Sequence, residues 1–316
     1  MEPQPEISAV VCTHNRADCL EGCIKSLLEQ SLNDDKYEII VVDNGSTDRT
    51  RELCERYEHV VNFSYIFEPA LGLSQARNRG LKEARSELIG YIDDDAEADS
   101  CWLERALECF QMDSQPDWVG GSVTLVWQES PPSWLTEYYY GALGWVDWGE
   151  HARFLDPQSE WLVGCNSLFR KITLEALGGF DTRLGRKKNL LLSGEEVQLH
   201  HKIKSQNGSF YYHPDVRVRH HVAAIRTKPE YFYRRYYWGG ITDYIMAKTL
   251  QGVPSQITAE QADGADSRIG RLMSRSFKSM GIGVTFEEKI QSRIYMSYVA
   301  GQIAALLKYG WRVRSL

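Results

Sequence analysis

The chain has 316 residues, 43% hydrophobic and 25% charged, with a net charge of −7. That is ordinary globular composition for one large domain or two smaller ones, and the acid excess speaks against a general nucleic-acid binder, whose domain is normally basic. Seven scattered cysteines without a Cys-x-x-Cys pair fit reduced thiols better than a disulfide framework or a structural zinc site. The chain opens on a short polar stretch, and no segment approaches the ~20 apolar residues of a spanning helix. The expectation is a cytoplasmic protein, soluble or peripheral on the cytoplasmic face of a membrane.

The first half alternates strand and helix signals. Ile7–Cys12 is a short β-branched apolar run, the mark of a buried parallel strand, and it stops at Thr13-His14-Asn15-Arg16. A helix pattern follows, with Leu20, Cys23, Ile24, Leu27 and Leu28 on one face. Glu38–Val42 is a second strand ending at Asp43-Asn44-Gly45-Ser46-Thr47-Asp48. A third cycle runs from the strand at 62–67 to a helix over 74–84, and a fourth strand, Leu88–Ile92, leads directly into Asp93-Asp94-Asp95. Alternation of this kind implies a parallel sheet with right-handed crossovers, whose ligands sit beyond the carboxyl ends of the strands. The polar clusters at 13–16, 43–48 and 93–95 all fall at such ends, so three loops converge on one crevice.

Trp118–Trp127 and the stretch from Leu162 to Arg170 read as strands. They flank a segment rich in Trp and Tyr. Glu195–Lys204 reads as a helix and Ser209–Val218 as a strand. Residues 251–267 are polar and helix-poor, a linker, before a helical pattern from Ile269 to Trp311.

Three consecutive carboxylates at a strand end need a counter-charge, from solvent or from a hard divalent cation with a taste for oxygen. Asp43 at a strand end is placed to accept hydrogen bonds from a nucleobase. Arg16 and Arg77 are placed to meet phosphates, with surface ion pairs as the plain reading of either one alone.

With these residues in order, the chain resembles glycosyltransferase family 2, inverting enzymes with a GT-A fold. The matching elements are Val10–Arg16, Ile40–Asp48, Ala76–Leu81, Tyr91–Asp95, Gly178–Asp181, Gly194–Leu199, and Pro214-Asp215 followed by His220. An Asp-x-Asp motif is weak by itself, but seven elements in order over roughly residues 7–221 are specific. The resemblance implies an α/β fold with a GT-A nucleotide-binding sheet, mostly parallel and Rossmann-like. It spans 1–225, with a nucleotide-binding half to about 117 and an acceptor and catalytic half from 118, before a helical extension over 226–316.

It also implies roles. Asp95 and His220 bind Mn2+ or Mg2+, with Asp93 as a further ligand and His221 as the rival of His220. Thr13, Asn15, Arg16, Asp43, Arg77, Asp93 and Asp94 hold the nucleotide-sugar. Glu196 is the catalytic base, with Glu195 as its fallback. This chain departs from the family there, having Glu where an Asp is usual. Glu carries the same chemistry with one more methylene, and both residues also read as helix-start carboxylates favoured by the dipole.

Trp161 and Asn166, flanking Gly164-Cys165, are expected at the donor sugar or acceptor, since aromatic faces pack on sugars. Core packing is the competing reading for each Trp. The implied donor is a UDP-sugar and the implied acceptor a glycan or lipid-linked hydroxyl in polysaccharide or glycolipid synthesis. Arg234 and Arg235 among aromatics at 231–238, with Lys308, Trp311, Arg312 and Arg314, are compatible with contact to an anionic membrane, but an amphipathic helix covering the catalytic domain is the slightly favoured reading. A Gln-x-x-Arg-Trp motif of processive synthases is missing, which points to single-sugar addition. A dehydrogenase is disfavoured by the lack of Gly-x-Gly-x-x-Gly after the first strand, and a pyrophosphorylase by the glycine-free 13–16 loop. The remaining alternative is a non-catalytic nucleotide-sugar or glycan-binding protein on the same fold.

Overall fold

The computed structural model describes residues 4–250 and 285–309. The linker expected at 251–267 lies outside the described residues, as do Trp311, Arg312 and Arg314. By contact the chain divides into two units. One comprises Met1–Ser130, Thr136–Asn189 and Glu195–Ala224, and the other Pro131–Leu135, Leu190–Gly194 and Ile225–Leu316.

The first unit is built on strands β1 (Ile7–Thr13), β2 (Tyr37–Asp43), β3 (Phe63–Phe67), β4 (Leu88–Asp93), β5 (Ala96–Ala98), β6 (Trp118–Trp127), β7 (Arg153–Phe154), β8 (Asn166–Arg170) and β9 (Phe210–Val222). Their order is β3-β2-β1-β4-β8-β6-β9-β5, with β7 paired to β9. The four strands β3, β2, β1 and β4 run parallel. Beyond β4 the pairing turns antiparallel, except that β6 and β9 run parallel. Every residue of β2 is buried, as expected of a strand covered on both faces by crossover helices.

Those helices are α1 (Ala17–Leu28), α2 (Thr50–Glu55), α3 (Leu73–Glu83) and α4 (Trp102–Phe110), and α5 (Lys171–Ala176) and α6 (Glu195–Ser205) follow β8. Helix α3 lies so close to β1 that a Cβ on Gly80 would collide with Val10 Cγ1. Only glycine allows that approach, which brings Arg77, one turn earlier, under the sheet. Register sets the site: Thr13 lies opposite Asp43, and Cys12 opposite Asp93. The carboxyl ends of three strands therefore stop at one level.

The three-residue strand β5 has no signal in the sequence, because it exists through pairing with β9 across more than a hundred residues. Ala96 lies opposite His220, and His221 N–H donates to the Asp95 carbonyl at 2.8 Å. The second unit holds α7 (Pro229–Thr249) and α8 (Phe286–Tyr309). Glycine again permits close packing there, since a Cβ on Gly301 would meet the backbone of Tyr237.

One buried histidine belongs to the core rather than to the crevice. The His200 ring stacks on Phe210 with centroids 4.3 Å apart, and its Nε2 donates to the Pro157 carbonyl at 3.1 Å. Burial lowers its pKa from the ordinary 6.5 to about 4. The folded protein therefore keeps His200 neutral, while the unfolded chain takes up a proton below pH 6.5. The stability this contributes is present above pH 6.5 and is lost as pH falls toward 4, by about 3 kcal/mol for a shift of this size. Chemical denaturation between pH 7 and 4 is expected to show a steeper loss for the native chain than for His200→Gln. Parallel profiles would show that the buried ring does not couple to folding.

Candidate active site

The three loops predicted to converge do touch. His14 Nδ1 lies 2.7 Å from the Asn44 carbonyl, and Asn15 N–H donates to Ser46 Oγ at 2.8 Å. Asn15 Oδ1 in turn accepts from Thr47 N–H at 2.7 Å. Asn15 adopts a left-handed backbone, φ 54°, which an Asn side chain tolerates and which aims it at the neighbouring loop. The expected nucleotide contact thus also staples loop 13–16 to loop 43–48.

Carboxylates dominate the crevice. Asp94 and Asp95 are buried, and Asp93 is partly open. Thr13 Oγ1 donates to Asp94 Oδ2 at 2.8 Å. Arg16 bridges both buried acids, Nε to Asp94 at 3.1 Å and Nη2 to Asp95 at 2.6 Å. Burial still raises the Asp94 pKa, opposed by Arg16 and reinforced by Asp95. Asp43 is buried and accepts from Ser46 N–H and Tyr65 O–H, both at 2.8 Å.

His220 reaches this cluster on β9. Its Nδ1 lies 2.7 Å from the Leu143 carbonyl, which can only accept, so Nδ1 carries a proton. Its Nε2 faces Asp95 Oδ1 at 3.0 Å. In the neutral ring that nitrogen presents a lone pair to a carboxylate, an arrangement that needs positive charge in between, a proton or a cation. One oxygen each of Asp93 and Asp95 and a nitrogen of His220 lie within 4.8 Å of one another. The Leu143 carbonyl holds the imidazole from behind, the usual support for a ligating histidine. His221, on the opposite face of the strand, pairs with Glu97 at 3.1 Å and is half exposed.

Arg77 departs from expectation. It is not turned outward toward phosphates but is 3% exposed. Nη1 pairs with Glu195 at 2.9 Å, and Nη2 with Asp93 and the Gly164 carbonyl, both at 3.3 Å. Its guanidinium lies 5.4 Å from the Phe180 ring centroid. Phe180 is fixed by Asn78, which donates to its carbonyl and accepts from its N–H at 2.8 Å each. Gly179, at φ 71°, leaves room for that clamp, since its Cβ would lie 2.5 Å from Asn78 Oδ1. The Gly178–Asp181 element thus braces Arg77, a role no sequence signal disclosed.

Glu195 and Glu196 open α6 but face different partners. Glu195 is buried in the Arg77 pair, where burial and the adjacent Glu196 raise its pKa against the pull of Arg77. Glu196 is only partly buried; Oε2 of each glutamate has no hydrogen-bond partner.

Asn166 is bonded inward. Its Oδ1 accepts from the Trp102 indole at 2.9 Å and its Nδ2 donates to the Val216 carbonyl at 2.8 Å, within the interior. Trp161 is 49% exposed and meets Trp148 edge-to-face at 5.0 Å.

Residues 8–178 match the profile of glycosyl transferase family 2. The chain belongs to that family, and its members are glycosyltransferases. The chain is 26% identical to the glucosyl-dolichyl phosphate glucuronosyltransferase of Haloferax volcanii over 249 residues, 76% of this chain and 77% of the relative. It is 38% identical to the cholesterol galactosyltransferase of Borreliella burgdorferi over 100 residues, 31% of this chain and 27% of that one. Among solved structures, the fold is similar to mannosyltransferase PcManGT from Pyrobaculum calidifontis in complex with GDP-Man and Mn2+. The TM-score is 0.62 at 19% identity, covering 98% of this chain and 88% of the other. S. aureus TarS 1-349 in complex with UDP gives 0.54 at 19% identity, covering 75% and 65%. These neighbours establish the GT-A architecture of the family 2 chain.

Replacing Arg77 with Met would leave Glu195 and Asp93 without their cation. Loss of one partner from a buried ion pair costs about 3–5 kcal/mol, so urea unfolding of Arg77→Met is expected to show that loss. Arg77→Lys is expected to recover part of it, because one ammonium cannot reproduce the forked contacts. A Met variant as stable as the native chain would mean the pairs contribute nothing net.

Proposed function

We propose that this family 2 enzyme is a metal-dependent, inverting glycosyltransferase that moves a single sugar from a nucleotide-diphosphate sugar to an acceptor hydroxyl. The reading is carried by the Asp93–Asp95–His220 cluster, with Asp93 joined through Arg77 to Glu195 and the partly buried Glu196 next to it in sequence. The donor set fits a divalent cation. Two carboxylates with an imidazole whose Nε2 is already aimed at one of them suit Mn2+ better than Mg2+, which keeps to oxygen ligands. Asp95 and His220 would hold the ion, joined by Asp93. When bound, such an ion supplies positive charge where the leaving diphosphate becomes more negative.

The remaining steps belong to the chain. Loop Thr13–Arg16, with Asp43 and Asp94, holds the nucleotide, and Arg16 turns from the acids toward phosphate once their charge is met otherwise. Glu196 takes the proton from the acceptor hydroxyl as its oxygen attacks the anomeric carbon opposite the diphosphate. One C–O bond forms as the other breaks, so a single displacement inverts the centre. Glu195, already paired, positions Arg77 rather than moving protons.

In this reading residues to about 117 serve the nucleotide and 118–225 the acceptor and catalysis. UDP-sugars are the first donor class and GDP-sugars the second, since the two structural neighbours hold UDP and GDP-Man. The exposed Trp161 ring, with Trp148, offers a stacking face for sugar three residues from Gly164, whose carbonyl touches Arg77. A lipid-linked or glycan acceptor agrees with the relatives named for dolichyl phosphate and cholesterol.

A donor panel with Mn2+, Mg2+ or EDTA tests the reading. One nucleotide-sugar is expected to be consumed only with metal. Glu196→Gln should lose about 10²–10⁴ in kcat, the usual worth of a general base, while donor affinity stays within a few-fold. Full turnover in EDTA, or an active Glu196→Gln beside an inactive Glu195→Gln, would overturn the metal or the base assignment respectively.

Metal binding has its own readout. Titration of Mn2+ followed by loss of the free-ion EPR signal is expected to be at least about tenfold weaker in His220→Ala. His221→Ala should bind as the native chain does. The reverse order would make His221 the ligand.

A further inference from the structure

Three aromatic rings beside His220 take no part in the transfer steps proposed for this chain. Trp127 closes β6, and Tyr140 and Trp145 stand on the segment that follows it. The Trp127 and Tyr140 rings are tilted by 58° with centroids 5.2 Å apart, and Tyr140 meets Trp145 edge-on at 6.4 Å and 76°. All three are half-buried. Register fixes where they lie. Strand β6 runs antiparallel to β8, and β8 antiparallel to β4, so Trp127 ends β6 on the same edge of the sheet where β4 ends at Asp93. Leu125 pairs with His220 and Trp127 with Val222, which puts Trp127 and His220 on one face, two residues or about 7 Å apart along the strands. On that face the Leu143 carbonyl holds His220 Nδ1, and Gly144, at φ 93°, passes so near the imidazole that a Cβ would lie 3.1 Å from Nδ1. Tyr140 and Trp145 bracket those two residues in sequence, so the rings flank the imidazole.

Polar tips and charge select the occupant. The indole N–H groups of Trp127 and Trp145 and the Tyr140 hydroxyl have no hydrogen-bond partner among the described residues, and each reaches solvent. Aromatic faces with free polar tips match a pyranose, which offers C–H groups to the rings and hydroxyls to the donors. A hydrocarbon chain would cover the same faces and strand all three tips. From Trp118 to residue 152 the segment carries the exposed acids Glu129, Glu137, Asp147 and Glu150 and no Lys or Arg. Arg153, the next cation, is taken by Glu160 at 2.8 Å. Arg217 and Arg219 alternate with His220 on β9, so they lie on its other face, paired with Asp215 and Glu97. The segment therefore offers no cation to a sugar carboxylate or phosphate.

We propose that Trp127, Tyr140 and Trp145 form an acceptor subsite for an uncharged pyranose, stacked on the indole faces and hydrogen-bonded by their N–H groups and the Tyr140 hydroxyl. The subsite names the substrate class on the acceptor side of the proposed transfer and rests on that reading, so glycoside binding and nucleotide binding are measured apart.

Saturation-transfer NMR on the full-length protein, without nucleotide, is run with the methyl β-glycosides of glucose, galactose, N-acetylglucosamine and glucuronic acid at millimolar concentration. The native chain is expected to bind at least one neutral glycoside, and the glucuronide at least about tenfold more weakly. Trp127→Ala and Trp145→Ala should each weaken the neutral glycoside at least about tenfold. Trp127→Phe/Tyr140→Phe keeps the rings and removes two polar tips, so it decides the matter where an alanine variant unfolds. It should cost at least about fivefold. Binding of UDP with Mn2+ is followed in the same proteins by calorimetry. The subsite is overturned if the native chain binds no neutral glycoside, if it binds the glucuronide as tightly, or if the Phe double variant binds as the native chain does. It is equally overturned if Trp161→Ala abolishes glycoside binding and Trp127→Ala does not, since the sugar would then sit on the Trp148–Trp161 pair. Glycoside binding that needs Trp127 in a chain that fails to bind UDP with Mn2+ would uphold the sugar site and sink the transfer reading alone.

Discussion

Negative charge is gathered where it is least comfortable. Asp94, Asp95 and Glu195 are buried at one end of the sheet, with Asp93 partly open between them. Carboxylates removed from water repel one another and lose hydration, so they persist only beside fixed cations. Arg16 and Arg77 divide that task. Arg16 sits at the crevice mouth on Asp94 and Asp95, a third exposed. Arg77 lies inside, between Asp93 and Glu195. One is a partly exposed counter-ion and the other a buried strut. Much of the surrounding structure follows from keeping the strut in place: Gly80 against Val10, Asn78 on Phe180, and Gly179 under Asn78.

The same electrostatics connects fold to chemistry. In the proposed reading, a site rich in buried carboxylates takes a cation and an anionic diphosphate together more readily than either alone, because each compensates the other. His220 contributes by geometry: its proton is directed to Leu143, which leaves the other nitrogen toward Asp95. Glu196 differs from Glu195 by one position on α6, yet Glu195 is buried and paired through Oε1 with Arg77, while Glu196 is only partly buried; one oxygen of each has no hydrogen-bond partner. Neighbours in sequence thus meet different surroundings because the helix turns them to different sides.

Much of the architecture could be read from residues alone. The β-branched runs at 7–12, 38–42 and 88–92 announce buried parallel strands, and the polar clusters after them mark the crevice, because both signals are local. Non-local pairings stayed hidden. Strand β5 is three residues long and owes its existence to β9, and that pairing is what brings His220 to Asp95. The buried Arg77–Glu195 pair was not legible, since an arginine opening a helix looks the same whether its partners are solvent anions or a glutamate 118 residues away. The interior bonds of Asn166 were hidden for a similar reason. Its amide is consumed by Trp102 and Val216, neither adjacent in sequence.

Crystals of the protein grown with Mn2+ and a uridine diphosphate, measured at the manganese absorption edge, test the central claim most directly. The account predicts a single strong anomalous peak within bonding distance of Asp95 and His220, close to Asp93, with Arg16 turned from the acids toward phosphate. A nucleotide bound in the crevice with no anomalous peak there, or a peak elsewhere on the chain, would contradict it.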